Sequence, residues 1–472
     1  MTSVGAGVTA GDNQTIDPDS AGAGAPPRSP AEPDGAPRVP VIDILRGLAI
    51  LGILFMNIND MGQSLTASFD DIRHLGWTRA DQIAWWLREI FANGTTRCLL
   101  EMLFGVGMVI LTDRFASAAG ELAVLRRYYV RNIVLFVFGV IHMYILLWPG
   151  DILHSYAMAS LVAVLFRSLR ARVLIPLGLV FATLQLVGGG LHVVQSRAEL
   201  AKLPAIEARQ AAGQPLTATE TQIVKRTAAA AASAARRADQ RTRDIAAEDA
   251  GRLGTTATWI AAQTQVSLTR FPTWRELGTV WEAAATMLIG AALFKLGIMQ
   301  GARSRRFYWG MMLLAYAIAI PLRTLGAWDQ TRFDGLPQIN WATGEYARLA
   351  MTLGHIGAVH LLITTSFGRW LLNPFAAAGR TALTLYIAQT LICLWVFYPP
   401  FGFHLYGQQG WMALMLTALA VNAALLWWAN RWLRSFKIAP VEWAWRSLIE
   451  WRRLPFRKPV QVAGMGARTL SA

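Results

Sequence analysis

The chain of 472 residues is 54% hydrophobic and only 15% charged. Its mean hydropathy of +0.35 lies far above that of soluble chains, which excludes a soluble multidomain enzyme. Its 44 Lys and Arg outnumber 29 Asp and Glu, a formal charge of +15, but the excess sits in short loops between apolar runs. That pattern orients membrane helices and builds no groove for nucleic acid. Cys98 and Cys393 lie in or beside apolar segments, so neither a disulfide framework nor a cysteine zinc site is available.

Residues 1–39 are rich in Ala, Gly, Pro and Asp with almost no large apolar side chain, which predicts a disordered tail. They delay the first apolar run to Val41 and so argue against a cleaved signal peptide. Apolar stretches of roughly 17–25 residues then recur, the length a helix needs to cross about 30 Å of hydrocarbon. About ten are expected, over 41–59, 90–112, 129–148, 152–168, 172–194, 277–299, 307–325, 346–366, 379–399 and 410–431. The predicted fold class is all-α: a polytopic membrane bundle with five helices in 40–194 and five in 277–431.

Orientation follows from the basic residues. Arg114, Arg126, Arg127 and Arg131 follow the second span, Arg167, Arg170 and Arg172 the fourth, Lys295, Arg303, Arg305 and Arg306 the sixth, and Arg369 the eighth. The alternate connections Trp148–Asp151 and Tyr398–Gly410 hold no Lys or Arg, so both termini are expected in the cytoplasm of an inner, or plasma, membrane. Residues 195–276 interrupt the rhythm as an extracytoplasmic insertion. Its Ala-rich stretch from Thr217 to Arg252, dense in charges such as Arg236, Arg237, Asp239 and Asp244, favours exposed helix, a solvated spacer or a contact for an envelope partner. In the basic tail over 432–472, Trp443, Trp445 and Trp451 among Arg446, Arg452 and Arg453 predict an interfacial helix on the inner leaflet.

A polar group in hydrocarbon is costly unless paired, so ionisable residues inside the spans mark candidate sites. Asp43 and Arg46, at i, i+3 on the first span, make a snorkelling ion pair or offer the Arg46 fork to a phosphate-bearing cytosolic donor. His142 lies under two turns from the end of the third span, the Trp148-Pro-Gly-Asp151 turn reverses the chain, and His154 follows Asp151 by three residues. The tight turn places the three at one depth, where a carboxylate orients an imidazole for general-base work; Asp151 is equally a natural N-cap. The loop after the first span holds Asp70, Asp71, Arg73, His74 and Trp77, with His74 the histidine most free for chemistry. Arg97 and Glu101 have the i, i+4 spacing of an intramembrane ion pair. His355 and His360 fall about 140° apart on a helix, so no shared metal or haem site is expected there. No Cys, His or acid cluster has metal spacing, and Gly105-Val-Gly107 reads as helix packing in lipid.

Taken in order, Ile42-Asp-Ile-Leu-Arg-Gly-Leu-Ala-Ile-Leu-Gly-Ile-Leu-Phe-Met-Asn57, Leu103-Phe-Gly-Val-Gly107, Gly150-Asp-Ile-Leu153 with Tyr156-Ala157, Gly379-Arg-Thr-Ala-Leu-Thr384 with Tyr386 and Gln389, and Pro440-Val-Glu-Trp-Ala-Trp-Arg446 resemble the YeiB-like bacterial inner-membrane proteins, catalogued as domain of unknown function 418. The resemblance covers nearly all of 40–458 except the insertion. This family in turn resembles the transmembrane acyltransferases, the acyltransferase-3 and heparan-glucosaminide acetyltransferase types. That resemblance implies transfer of an acyl group from cytosolic acyl-coenzyme A to a sugar or other acceptor across the membrane.

Acyltransferase-3 proteins carry a catalytic histidine eleven residues after the arginine of the first-span motif, where this chain has Asn57. An amide cannot take the acceptor's proton, so the base must lie elsewhere. The heparan acetyltransferase type also has asparagine there, with its histidine downstream in a His-x-x-Trp context, to which His74-Leu-Gly-Trp77 is similar. The resemblance therefore implies His74 as first choice for the base and His142 oriented by Asp151 as second. Arg46 and Arg380 would hold the coenzyme A end, and Asn57, His154, Thr384, Tyr386 and Gln389 would line the cavity of an envelope glycan or lipid acceptor. The alternatives are a transporter or lipid-handling protein using the same polar residues as a path, or a structural membrane component.

Overall fold

The computed structural model describes residues 39–270, 273–333 and 335–458; the expected disordered tail, up to Arg38, and residues 459–472 of the basic tail lie outside the described residues. Among these there is helix and no strand. The first helix, α1 (Pro40–Gly62), starts on a proline at its first turn, where the missing N–H costs nothing. Two short helices follow, α2 (Leu65–Asp70) and α3 (Arg79–Phe91), the latter entered through a Thr78–Asp81 capping box. Then come α4 (Thr95–Ala119), α5 (Glu121–Tyr144), α6 (Leu153–Ala163), which ends in a 3₁₀ turn, and the 41-residue α7 (Ala171–Ala211). The remaining helices are α8 (Ala218–Leu253), α9 (Thr256–Arg270), α10 (Trp274–Lys295), α11 (Arg305–Thr331), α12 (Asn340–Leu362), α13 (Ser366–Arg380), α14 (Ala382–Ile392), α15 (Trp411–Ser435) and α16 (Pro440–Ile449).

Each of the ten apolar runs falls on a helix: α1, α4, α5, α6, α7, α10, α11, α12, α14 and α15. By length and apolar composition six helices can cross a membrane, or seven when α12 and α13 are one span broken by a 117° bend. The others fall short for visible reasons. Helices α6 and α14 are brief, and α5 carries Glu121, Arg126, Arg127 and Arg131. The chain is thus a helical protein with several membrane-spanning helices.

Helix α13 is the element that periodicity did not announce. Thr365 caps it by accepting from Gly368 N, and it turns back onto α1 at a pair of glycines. A Cβ on Gly47 would stand 2.0 Å from the Phe375 carbonyl oxygen, and one on Gly379 1.9 Å from that of Asp43. Backbone meets backbone there, the small-residue contact by which helices associate in lipid.

Helix α7 is unbroken across the expected boundary at 195. It runs on past Pro204 to Ala211, and Gly213, at φ +70°, with Pro215 beyond it ends the run. A Thr217–Glu220 capping box then starts α8. Most of α8 is exposed, but its last turns are docked. Arg252 donates to the carbonyls of Met61 (2.6 Å) and Gln63 (2.7 Å) at the end of α1, while Glu248 accepts from Ser64 Oγ (2.7 Å) and Leu65 N (2.8 Å) at the start of α2. One ion pair, Arg252–Glu248, thereby satisfies the orphan carbonyls of one helix end and the orphan amides of the next. On α9, Trp259 is fully buried against Trp395 and Phe401, so the hairpin covers this end of the bundle and is no free spacer.

Candidate active site

The α5–α6 turn builds the strongest polar cluster. Leu147, buried and at φ 55°, adopts the left-handed conformation at a cost of about 1–2 kcal/mol, and its neighbours hold it there. Trp395 Nε1 donates to Leu146 O (2.8 Å) and Gln263 Nε2 to Leu147 O (3.3 Å). The reversal lays Asp151 against α5, and Gly139 makes room: a Cβ there would stand 2.7 Å from Asp151 Oδ2 and 2.4 Å from His154 N.

Asp151 then bridges two imidazoles. Its Oδ1 is 2.7 Å from His142 Nδ1, and its Oδ2 is 2.8 Å from His154 Nδ1 while accepting from His154 N at 3.0 Å, so the N-cap and imidazole-orienting roles coexist. Burial alone would raise the Asp151 carboxyl, but the hydrogen bonds from His142 and His154 hold it below the usual aspartate range. With a carboxylate on Nδ1, His142 presents Nε2 as an acceptor, and Thr390 Oγ1 stands 2.9 Å from it. The relay Asp151–His142–Thr390 is closed to solvent, His142 and Thr390 both at 0% exposure. Tyr386 packs edge-on to His142 at 4.9 Å and donates nothing to it, its hydroxyl instead accepting from Ile152 N (3.1 Å). His154 Nε2 faces Glu276 Oε1 at 3.2 Å, and Ser155 Oγ donates to the same oxygen at 2.6 Å.

The other expected site residues are placed apart. His74 Nε2 lies 3.2 Å from Asp249 of the insertion, which also accepts from Tyr406 OH (2.6 Å). Arg46 pairs with Asp43 at 3.1 Å on α1, with Glu442 and Arg446 of α16 as its other charged neighbours. Arg380, exposed, ends α13 directly after the Gly379 crossing. Asn57 is half-buried on α1. Thr384 is not brought to the histidines: its hydroxyl donates to Glu442 Oε2 and accepts from Val441 N (3.0 Å). Burial pushes Glu442 above the usual glutamate range against these hydrogen bonds. Gln389 donates to Ile50 O (3.2 Å) and Asn422 Oδ1 (3.3 Å), so α14 joins the Arg46 turn of α1 to Thr390 and His142.

Residue patterns missed a second cluster. Beyond the expected Arg97–Glu101 pair (3.4 Å), Arg348 of α12 contacts Glu101 (2.9 Å), Glu282 (2.8 Å) and Glu345 (2.7 Å), and Arg97 also pairs with Glu282. Glu282 and Arg348 lie within apolar runs and were detectable as ionisable residues in lipid; Thr390 and Ser155 carry no such signal. His355 binds Tyr316 OH (2.9 Å) and Phe91 O (3.1 Å), whereas His360 stacks on Tyr308, so the two share no site.

Fold and site together define a multi-pass helical membrane protein with a buried carboxylate–imidazole–hydroxyl relay. Residues 293–452 match the model of a family described as a protein of unknown function, DUF418. Over nearly its whole length the chain is similar to YxaH of Bacillus subtilis (strain 168), 28% identical over 437 residues that cover 90% of this chain and 97% of that one. It is likewise similar to YeiB of Escherichia coli (strain K12), 27% identical over 425 residues, 86% of this chain and 95% of the other. The chain thus resembles the YeiB-like DUF418 proteins, over residues 293–452 by the family model and along nearly its whole length by these relatives. Both relatives are described as uncharacterized proteins, and no solved structure matches the chain.

Proposed function

We propose that the protein is a membrane acyltransferase of the plasma membrane, passing an acyl group from cytosolic acyl-coenzyme A to an envelope glycan or lipid, with His142 as its base. One observation carries this reading: the buried Asp151–His142–Thr390 relay, in which a carboxylate orients an imidazole and the opposite nitrogen meets a hydroxyl. That is the arrangement by which a base activates an oxygen nucleophile. The acceptor oxygen passes its proton through the Thr390 hydroxyl to His142 Nε2 as it attacks the thioester carbonyl; the carbon–sulfur bond breaks and the thiolate leaves and recovers that proton. His74, tied to Asp249, is the second candidate. The reading takes ten crossings with both termini cytoplasmic, the arrangement the basic loops favour, although six or seven helices are long and apolar enough to span by themselves. On that topology Arg46, the basic rim and Arg380 would lie on the donor side and the histidines near the opposite face.

A transporter or lipid-handling role is the second reading, favoured by the Arg97, Arg348, Glu101, Glu282 and Glu345 network, in which two guanidiniums face three carboxylates inside the bundle. Mass spectrometry of envelope glycans and lipids separates the two. Cells lacking the protein are compared with cells restored with the natural chain, with His142→Gln and with His74→Ala. An acyl group lost without the protein and restored by His74→Ala but not by His142→Gln is the expected result. No change in any acyl species would turn the assignment to transport.

A further inference from the structure

A cavity of about 130 Å³ lies between α3, the turn into α4, α11 and α12, and its polar lining is Glu89, Asn93, Arg323, Gln330, Asn340 and Thr343. No residue of the histidine relay takes part in it. Arg323 sets its character. Its Nη2 donates to the Asn93 carbonyl and to Thr95 Oγ1 (3.0 Å), and its Nε is buried without a partner. Glu89 acts on it only from beyond ion-pair distance, because Glu89 is held by Arg88 (3.1 Å) and by the Asn93 amide, which donates to both its oxygens (2.9 and 2.8 Å). A guanidinium inside an apolar bundle with no carboxylate against it is costly, and a ligand anion removes that cost. Asn340 Oδ1 is a second buried atom without a partner, and it is an acceptor, so the same ligand needs a donor.

Size narrows the choice. A 150 Å³ cavity holds benzene, so about 130 Å³ admits about six non-hydrogen atoms. We propose that this cavity binds a small zwitterion, a free α-amino acid of about alanine's size, with its carboxylate on Arg323 and its ammonium on Asn340 Oδ1 and Glu89. A neutral triol of equal size leaves the guanidinium uncompensated, and a simple carboxylate leaves the Asn340 acceptor unpaired.

The test is equilibrium dialysis of the detergent-purified full chain against radiolabelled glycine, L-alanine and L-serine, with propionate and glycerol as competitors. Saturable binding is expected that unlabelled L-alanine displaces fully, propionate weakly and glycerol not at all. Arg323→Gln should weaken it about tenfold or more, the loss of one charge-assisted contact. A Cβ on Gly344, which also lines the cavity, meets nothing within 4 Å. Gly344→Leu therefore fills space with every charge left in place, and should abolish binding while the thermal midpoint holds or rises. His142→Gln should bind like the natural chain, which keeps this result separate from the acyl-transfer assignment. Absence of saturable binding of all three amino acids, equal competition by glycerol, or binding unchanged in Gly344→Leu overturns the proposal.

Discussion

Thr390 Oγ1 stands 2.9 Å from His142 Nε2 although 248 residues separate them in the chain. The hydroxyl has that imidazole as its outlet, so its removal and its conservative replacement should differ. Thr390→Val is expected to lower formation of the acylated envelope species about 10²-fold, the scale of one proton-transfer partner, and Thr390→Ser to restore most of it. Quantitative mass spectrometry of those species checks both. Equal loss in the two variants would place Thr390 in packing alone.

Asp151 is buried with His142, His154, Glu276 and Tyr386 around it. Asp151→Asn should cost about 3–5 kcal/mol at neutral pH, the usual result of breaking a buried charged pair. A carboxyl held below its ordinary pKa contributes stability that is fully present above that value and lost as pH falls through the lowered one. The gap between the natural chain and Asp151→Asn in thermal unfolding should therefore stay constant from about pH 6 to about pH 4 and close only below it.

Arg252 ties α8 to the end of α1. Arg252→Met strands Glu248 among buried groups and should release the last turns of α8 at a cost of about 3–5 kcal/mol. Hydrogen exchange should accelerate in 245–270 and in α2 while the membrane helices stay protected. Uniform acceleration would instead make the insertion part of one cooperative unit.

Arg348 neutralises three carboxylates. Arg348→Met should abolish recovery of monodisperse protein in detergent, since it leaves Glu345 without its cation and Arg97 alone to offset Glu101 and Glu282. Adding Glu345→Gln should recover part of it, because residues of one network do not act additively. A double variant as poor as the single one would mean that the loss of Arg348 packing, and not its charge, decides folding.

A Cβ on Gly47 would overlap the Phe375 carbonyl of α13. Gly47→Leu should push α13 off α1 and cost more than the about 1–3 kcal/mol of ordinary overpacking, because backbone cannot yield as a side chain can. Gly107, beside which an added Cβ meets nothing within 4 Å, is the matched control and should tolerate Ala. Comparable losses of folded protein at the two positions would refute the crossing.

The all-helical class, the placement of ten helices and the pairing of His142 with Asp151 were legible in the sequence, since each rests on local spacing: hydrophobic run length, or a reversal too short to separate its ends. Helix α13 was not, because its 15 residues are too few for a span and its apolar face has meaning only against α1. Nor was the partner of His142. Thr390 sits in an apolar run as an ordinary helical threonine, and only the packing of α14 against α5 gives its hydroxyl an imidazole. The same holds for Arg348 and Glu282, visible one by one as costly residues in lipid, and for Glu248 and Arg252, ordinary in an exposed helix. Spacing along one helix decides what shares a face; which face meets which is settled by long-range burial and by the pairing of polar groups that lipid does not solvate.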